Sequence, residues 1–556
     1  MSPILILCLQ MWICEAGSTE AKGGRSEYRM EIELDYREAR YSGWEVVRFV
    51  NTTREEMDGL YFNLFPNVGL GEDESPWLVM SRVTVGMREL RFGMRSRSSV
   101  IKVELGRKLQ PGQAIEVRVE FAGKVPRIQR EESSLLAHFL QEVNDAVSDE
   151  RLTKDARDIF FAADEAMLLG YFYPVATARP IQAPEQGLAV GAGALASGEM
   201  ADYDVTVATD TSLTVVASGV LSGVSERRAD GGRKGRTVHQ FRGENLRGFG
   251  MALADRVKSV QQTVGRTRIV SYSREGDERL GERALKFAAS AIASYTAAFG
   301  EYPHPQFQVI EMPLPAGYSG IEFPGLFILA QAYYIDFDAP QSARLPGVLR
   351  EQADVIRSSF EFTLAYGVAK QWWGSAVGND TERTPYLDES LATYSAAYYH
   401  EAAYTRELGD RVLDHQLRGA YQAYRMLGGP DMEVDRPLRD YRNPLQYMAI
   451  VQAKGALLFA ALRKELGDEK FFSALRQYFT AFRYQQASVE SLRALFARES
   501  EDPRVIRGLF QRWLKEKRGD EDIGLSDLAQ APPSMSKIRA LGRVFVKIGK
   551  TAAKPF

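Results

Sequence analysis

The sequence predicts an α+β multidomain protein, with an N-terminal antiparallel β-sandwich unit followed by a mainly α-helical one. Three observations carry this. At 556 residues the chain is too long for one small core on the usual length of about 150 residues per domain. Its first half alternates apolar and polar residues with period two, whereas the second half is dominated by long Ala- and Leu-rich segments. Its 45% hydrophobic and 26% charged residues are the mix of a soluble globular protein, which excludes disorder and a multispan membrane protein.

In chain order, the apolar run Pro3–Ile13 is far shorter than the roughly 20 residues that span a bilayer, but suits the core of a signal peptide. Residues 1–22 are therefore expected to be a signal peptide or short anchor, although no Lys or Arg precedes the run. The expected location is exported or membrane-associated, with a cytoplasmic protein as the alternative. Residues 23–260 read as the β domain. Alternation is clear in Tyr28–Asp35 and Ile115–Phe121, with turn signals at Asn51 and Pro111-Gly112, and strands resume at Tyr203–Ala208 and Leu213–Ala217. The Ala-, Gly- and Pro-rich stretch 176–200 reads as a surface loop. From Glu282 the period becomes helical, with Ser488 as a cap before Leu492, so 261–525 is expected to be one mainly helical unit. Residues 526–556 form a basic tail. Its last twenty residues carry Lys537, Arg539, Arg543, Lys547, Lys550 and Lys554 with no acid, and Leu541, Val544, Phe545 and Ile548 recur at helical spacing. Such a stretch can lie on an anionic membrane surface.

Seventy basic against 73 acidic side chains leave a net charge of −3, which argues against a dedicated nucleic-acid binder. Metal-ligating residues are scarce. The five histidines are His138, His239, His304, His400 and His415, and both cysteines, Cys8 and Cys14, precede the β domain. Thiol nucleophiles and zinc ribbons are thereby excluded from nearly the whole chain, and a metal site would have to use histidines and carboxylates.

Two segments carry specific patterns. Ser319-Gly320-Ile321-Glu322-Phe323-Pro324-Gly325-Leu326 sets one carboxylate in an apolar, glycine-flanked, extended stretch that can pair with a peptide while Glu322 meets a cationic end. Gln371-Trp372-Trp373-Gly374 ends a helical run from about Glu361, and Tyr386-Leu387-Asp388-Glu389 opens another helix ending its pattern at Tyr394. Alone, each is compatible with a purely structural role.

In this order and spacing the segments resemble the aminopeptidase N family of gluzincin zinc metallopeptidases. The family has a Gly-x-Met-Glu-Asn exopeptidase motif, written Gly-Gly-Met-Glu-Tyr-Pro-Gly in many bacterial members, which Ser319–Gly325 follows. It then has His-Glu-x-x-His-Gln-Trp-Trp-Gly, matched in its flank by Gln371–Gly374, and Trp-Leu-Asn-Glu-Gly-Phe-Ala-x-Tyr, matched by Leu387–Tyr394. Lys454-Gly455-Ala456 matches a later Tyr-x-Lys-Gly motif, and Leu60–Asn67 is similar to the family's first β-domain. The resemblance spans roughly residues 28–520. It implies a β-saddle domain and a thermolysin-like, mainly helical catalytic-type domain, zinc as cofactor, and Glu322 binding the α-amino group of a peptide whose backbone pairs along Gly320, Ile321 and Phe323.

The catalytic positions depart from the family one by one. Counting back from Gln371, the first imidazole ligand is replaced by Tyr366, the general base by Gly367 and the second imidazole by Lys370. Glu389, nineteen residues after Lys370, retains the third-ligand position, and Gln452 stands where the family's oxyanion-stabilising Tyr lies. Zinc is therefore expected to be absent, because a lone carboxylate beside an ammonium is a poor site for a +2 ion. No side chain at Gly367 can take a proton from water. The expectation is a catalytically inactive pseudopeptidase that binds peptide or protein N-termini, with no cofactor. A hydrolase with an atypical site and an interaction module with a vestigial cleft are the alternatives. Lys370 is one helical turn from Tyr366, so its ammonium is expected to fill the vacated volume and pair with Glu389, with Tyr366 donating to the same carboxylate. His400-Glu401 only begins like a zinc motif: the second imidazole is Tyr404, and His400 lies ~16 Å from Glu389 along one helix.

Overall fold

The structure is a computed structural model. It describes residues 24–523 except 72, 97–98, 136, 139–140, 142–157, 164, 179–197, 211–212, 228–234, 346 and 352. The expected signal segment, most of the expected 176–200 loop and the basic tail lie outside the described residues.

Period-two burial builds the N-terminal part. Ser26–Asp35 alternates buried and exposed along its whole length, so Tyr28, Met30, Ile32 and Leu34 share the inner face. It sits inside an eight-stranded sheet with the order Val220–Arg227, Arg236–Leu246, Ala201–Thr209, Ser26–Asp35, Arg40–Val50, Ala114–Lys124, Leu78–Val85, Arg88–Glu89. Two four-stranded sheets cover its inner face, including Met57–Asn63 with Val100–Leu109, and Ala166–Gly170 with Gly250–Ala254. Among the described strands of this part, one pair departs from the purely antiparallel expectation: Ser26–Asp35 and Ala201–Thr209 run parallel.

A five-stranded mixed sheet, ordered Val257–Val264, Thr267–Arg274, Gln306–Met312, Leu326–Ala330, Gly320–Phe323, begins the second unit. The expected boundary at 260/261 thus falls within its first strand. Two of these strands, Gln306–Met312 and Leu326–Ala330, lie beyond Glu282 where the sequence reads as helical; they are short and lie among helices, so their signal is lost in the helical average, whereas Gly320–Phe323 lies in the stretch read as extended. Thr267–Arg274, Gln306–Met312 and Leu326–Ala330 are parallel, and the helix Glu278–Phe299 connects the first two. Gly320–Phe323 turns back antiparallel onto Leu326–Ala330 through Pro324-Gly325, where Gly325 has φ 72°, a conformation that glycine adopts without strain. Because Ala330 N–H donates to the Ser319 carbonyl, the ladder's alternation turns the backbone groups of Gly320 and Glu322 toward the outer edge of the sheet.

Helix Ala353–Ala369 packs beside this edge, and Tyr386–Ala403 packs against that helix. The first starts eight residues before Glu361. Trp372 and Trp373 follow its end and anchor it: Trp372 Nε1 donates to the Gly300 carbonyl and Trp373 Nε1 to Ser395 Oγ. Residues Met448–Lys454 form a π-helical segment that runs into the helix Gly455–Phe482. The apolar stretch Pro444–Phe482 is long enough to cross a bilayer, yet 89% of its most apolar window is buried inside the protein, as in a core helix. Ser488 caps Val489–Glu499 through a hydrogen bond from Ser491 N, as the sequence suggests.

Candidate functional site

Three elements bring the motif residues together. The helix Ala353–Ala369 and the turn after it carry Tyr366, Gly367 and Lys370, the helix Tyr386–Ala403 carries Asp388 and Glu389, and the edge strand carries Glu322. Lys370 Nζ donates to Asp388 Oδ2 at 2.5 Å and to Glu389 Oε1 at 2.8 Å, and stands 3.6 Å from Glu322 Oε1. Tyr366 OH donates to Glu389 Oε2 at 2.6 Å, and Gln452 Nε2, on the π-helical segment, reaches the same oxygen at 3.3 Å. The side chains of Lys370, Asp388 and Glu389 are 1–2% exposed, whereas that of Glu322 is 12% exposed and forms the outer rim of the cluster.

The electrostatics follow from three carboxylates gathered around one ammonium. Burial pulls Lys370 down, but Asp388, Glu389 and Glu322 more than reverse this and hold the ammonium well above the ordinary lysine value. Burial pushes the Glu389 carboxyl up to about 7: Lys370 pulls it down, while Asp388 and Glu322 push it further up. Glu322 is raised by burial, partly offset by Lys370. The Tyr366 hydroxyl is held far above its usual value by burial and by Glu389, so it stays a neutral donor.

The structure adds three residues to those singled out from the sequence. Asp388 makes the shortest contact to Lys370, and its other oxygen, Oδ1, is buried without a partner. A signal for it existed: the family segment has Asn before the Glu, and here that position carries an added negative charge beside the added positive one. The Tyr447 hydroxyl is held far above its usual value by burial and by Glu389, Asp388 and Glu322. Phe327, on the neighbouring strand, packs directly against Gly367: a Cβ built on Gly367 would overlap its ring, as would one on Gly320. Gln371 ties the helix end to the hairpin, accepting from Gly325 N–H at 2.8 Å and donating to the Phe323 carbonyl at 3.2 Å. His400 is separate from the site; it is buried against Phe362 with Nδ1 at 2.9 Å from the Ala396 carbonyl.

A β-rich unit followed by a helical unit with a mixed sheet is the architecture shared with solved M1 zinc metallopeptidases. Residues 283–513 match the "Peptidase family M1 domain". The chain is similar to aminopeptidase 2, mitochondrial, of Saccharomyces cerevisiae, at 25% identity over 52% of this chain and 29% of the yeast protein. It is also similar to aminopeptidase M1-D of Oryza sativa, at 23% identity over 50% of this chain and 30% of the rice protein. The match thus spans less than a third of the length of these relatives. The fold is that of crystal structures of an M1 zinc metallopeptidase from Deinococcus radiodurans. One mutant form aligns at TM-score 0.60 and 16% identity, covering 89% of this chain and 95% of that one. A mutant bound to a Tyr-Ser-Ala substrate aligns at TM-score 0.57 and 15% identity, with the same coverages.

Proposed function

We propose that this protein is a catalytically inactive relative of the M1 aminopeptidases that binds the free amino ends of peptides or proteins. One observation supports the inactivity: the Lys370 ammonium, at the position where motif spacing puts the family's second imidazole, is bonded to Asp388 and Glu389. Zinc, which the family implies, does not fit this donor set. Zinc sites use neutral imidazoles and anionic oxygen or sulfur, whereas here a phenol and an ammonium already hold Glu389 from both oxygens. Gly367 offers no group to take a proton, and Phe327 fills the space a base would need.

Peptide recognition is supported by what remains. Gly320–Phe323 is the last strand of its sheet, with the backbone groups of Gly320 and Glu322 turned outward, the arrangement used for strand addition. Glu322 is the cluster's outermost carboxylate, and a ligand ammonium is its natural partner. The test combines zinc content by mass spectrometry, turnover of aminoacyl-anilides, and binding of Ala-Ala-Ala against its N-acetylated form. The expected result is no zinc, no turnover, and binding of the free amine that is lost in Glu322→Gln. One zinc per chain with chelator-sensitive turnover overturns the reading. The enclosure of Lys370, Asp388 and Glu389 favours a second reading, a structural centre in an interaction module, for which free-amine binding would be absent.

A further inference from the structure

We propose that Lys370 is a built-in competitor for the cationic end of the ligand, so that peptide entry requires its ammonium to give up Glu322 while it stays bonded to Asp388 and Glu389. The inference rests on reading Glu322 as the amine-binding carboxylate and concerns how that site is regulated. An ammonium has three donors, and two of those on Lys370 are committed inward at 2.5 and 2.8 Å. The contact to Glu322, at 3.6 Å, is longer than a hydrogen bond and is the weakest of the three. Glu322 is also the only one of the three carboxylates with appreciable exposure, so a second ammonium approaches from its outer side, with Lys370 on the inner side.

The contacts therefore describe a resting state in which an internal cation holds the site against an external one. Asp388 makes this reversible. Its short bond already holds Lys370 on the inner side, so a ligand ammonium has to displace only the longest contact. Like-charge repulsion between Lys370 and the incoming amine nevertheless persists in a poorly solvated site, and it lowers affinity.

The double variant Lys370→Met/Asp388→Asn isolates this effect. It removes one positive and one negative formal charge from the cluster, so the local net charge does not change while the competitor disappears. Isothermal titration calorimetry with Ala-Ala-Ala is expected to show at least about tenfold tighter binding than in the parent, with N-acetyl-Ala-Ala-Ala unaffected. Circular dichroism verifies the fold; if the Met variant does not fold, Lys370→Gln/Asp388→Asn keeps a donor to Glu389 and makes the same comparison. Affinity equal to or weaker than the parent's overturns the inference. If parent binding is lost in Glu322→Gln but unchanged in the double variant, the amine-binding reading stands and the competitor role falls. If free amines bind neither parent nor double variant, both fall.

Discussion

Removing the Lys370 ammonium tests the physical basis of the site most directly, because two buried carboxylates depend on it. Lys370→Met keeps the volume of the stem and deletes only the charge and its donors. At an effective dielectric of about 20, an ion pair at 2.8 Å is worth roughly 6 kcal/mol before desolvation, and taking three ions out of water cancels much of that. What remains after the deletion is Asp388 and Glu389 buried side by side, 2% and 1% exposed, with Tyr366 and Gln452 as the remaining donors to Glu389. Breaking a buried pair from one side costs about 3–5 kcal/mol, a large part of the roughly 5–15 kcal/mol that stabilises a domain. Neutralising the orphaned acids in Lys370→Met/Asp388→Asn/Glu389→Gln should recover most of that loss, since replacing all charged partners together is often close to neutral. Urea unfolding followed by fluorescence is well suited, because Trp372 and Trp373 are buried two and three positions from Lys370. A loss below about 1 kcal/mol in the single variant, or losses that add across the triple variant, would refute the charge-compensation argument.

Two further outcomes follow from packing and titration. Gly367→Ala should lower stability by about 1–3 kcal/mol through overlap with the Phe327 ring. Thermal unfolding of Gly367→Ala/Phe327→Leu should show part of it restored, and an unchanged Tm in the single variant would contradict the geometry. Glu311, on the Gln306–Met312 strand, is raised to about 8 by burial, with Asp277 adding to the shift and Arg274 opposing it. Its folded value lies above the unfolded value, so the folded state holds a proton that the unfolded state has lost. The stability due to Glu311 is therefore complete below pH ~4.5 and declines as pH rises towards 8. Denaturant midpoints measured across that window should fall less steeply in Glu311→Gln than in the parent.

Much of the site was legible because its logic is local. Tyr366 and Lys370 are one helical turn apart, and the spacing of Glu389 follows a recognisable motif, so their meeting required only helical periodicity and motif order. Extended structure at Glu322 was likewise readable from glycines and alternation. Asp388 left a visible trace, an Asp in the family's Asn position, but its meaning depends on Lys370 pointing at it. Phe327 left none: its ring meets Gly367 through the register of two strands packed under a helix, and no spacing in the chain encodes that contact. The same holds for the strands Gln306–Met312 and Leu326–Ala330, which read as helical until parallel pairing, the first with Thr267–Arg274 and the second with the first, gave them partners.

Residue identity alone established that residues 366–370 hold neither a histidine nor a carboxylate, since no conformation can supply atoms the side chains lack. It also established which residues share a helical face or a strand face, because those periods are properties of the backbone. Tertiary packing decided the rest: that one ammonium is gathered among three carboxylates, that Asp388 is its closest partner, and that Glu322 stays at the rim. The reason is that burial and electrostatic balance depend on distances between elements far apart in the chain, and only the packed fold sets those distances.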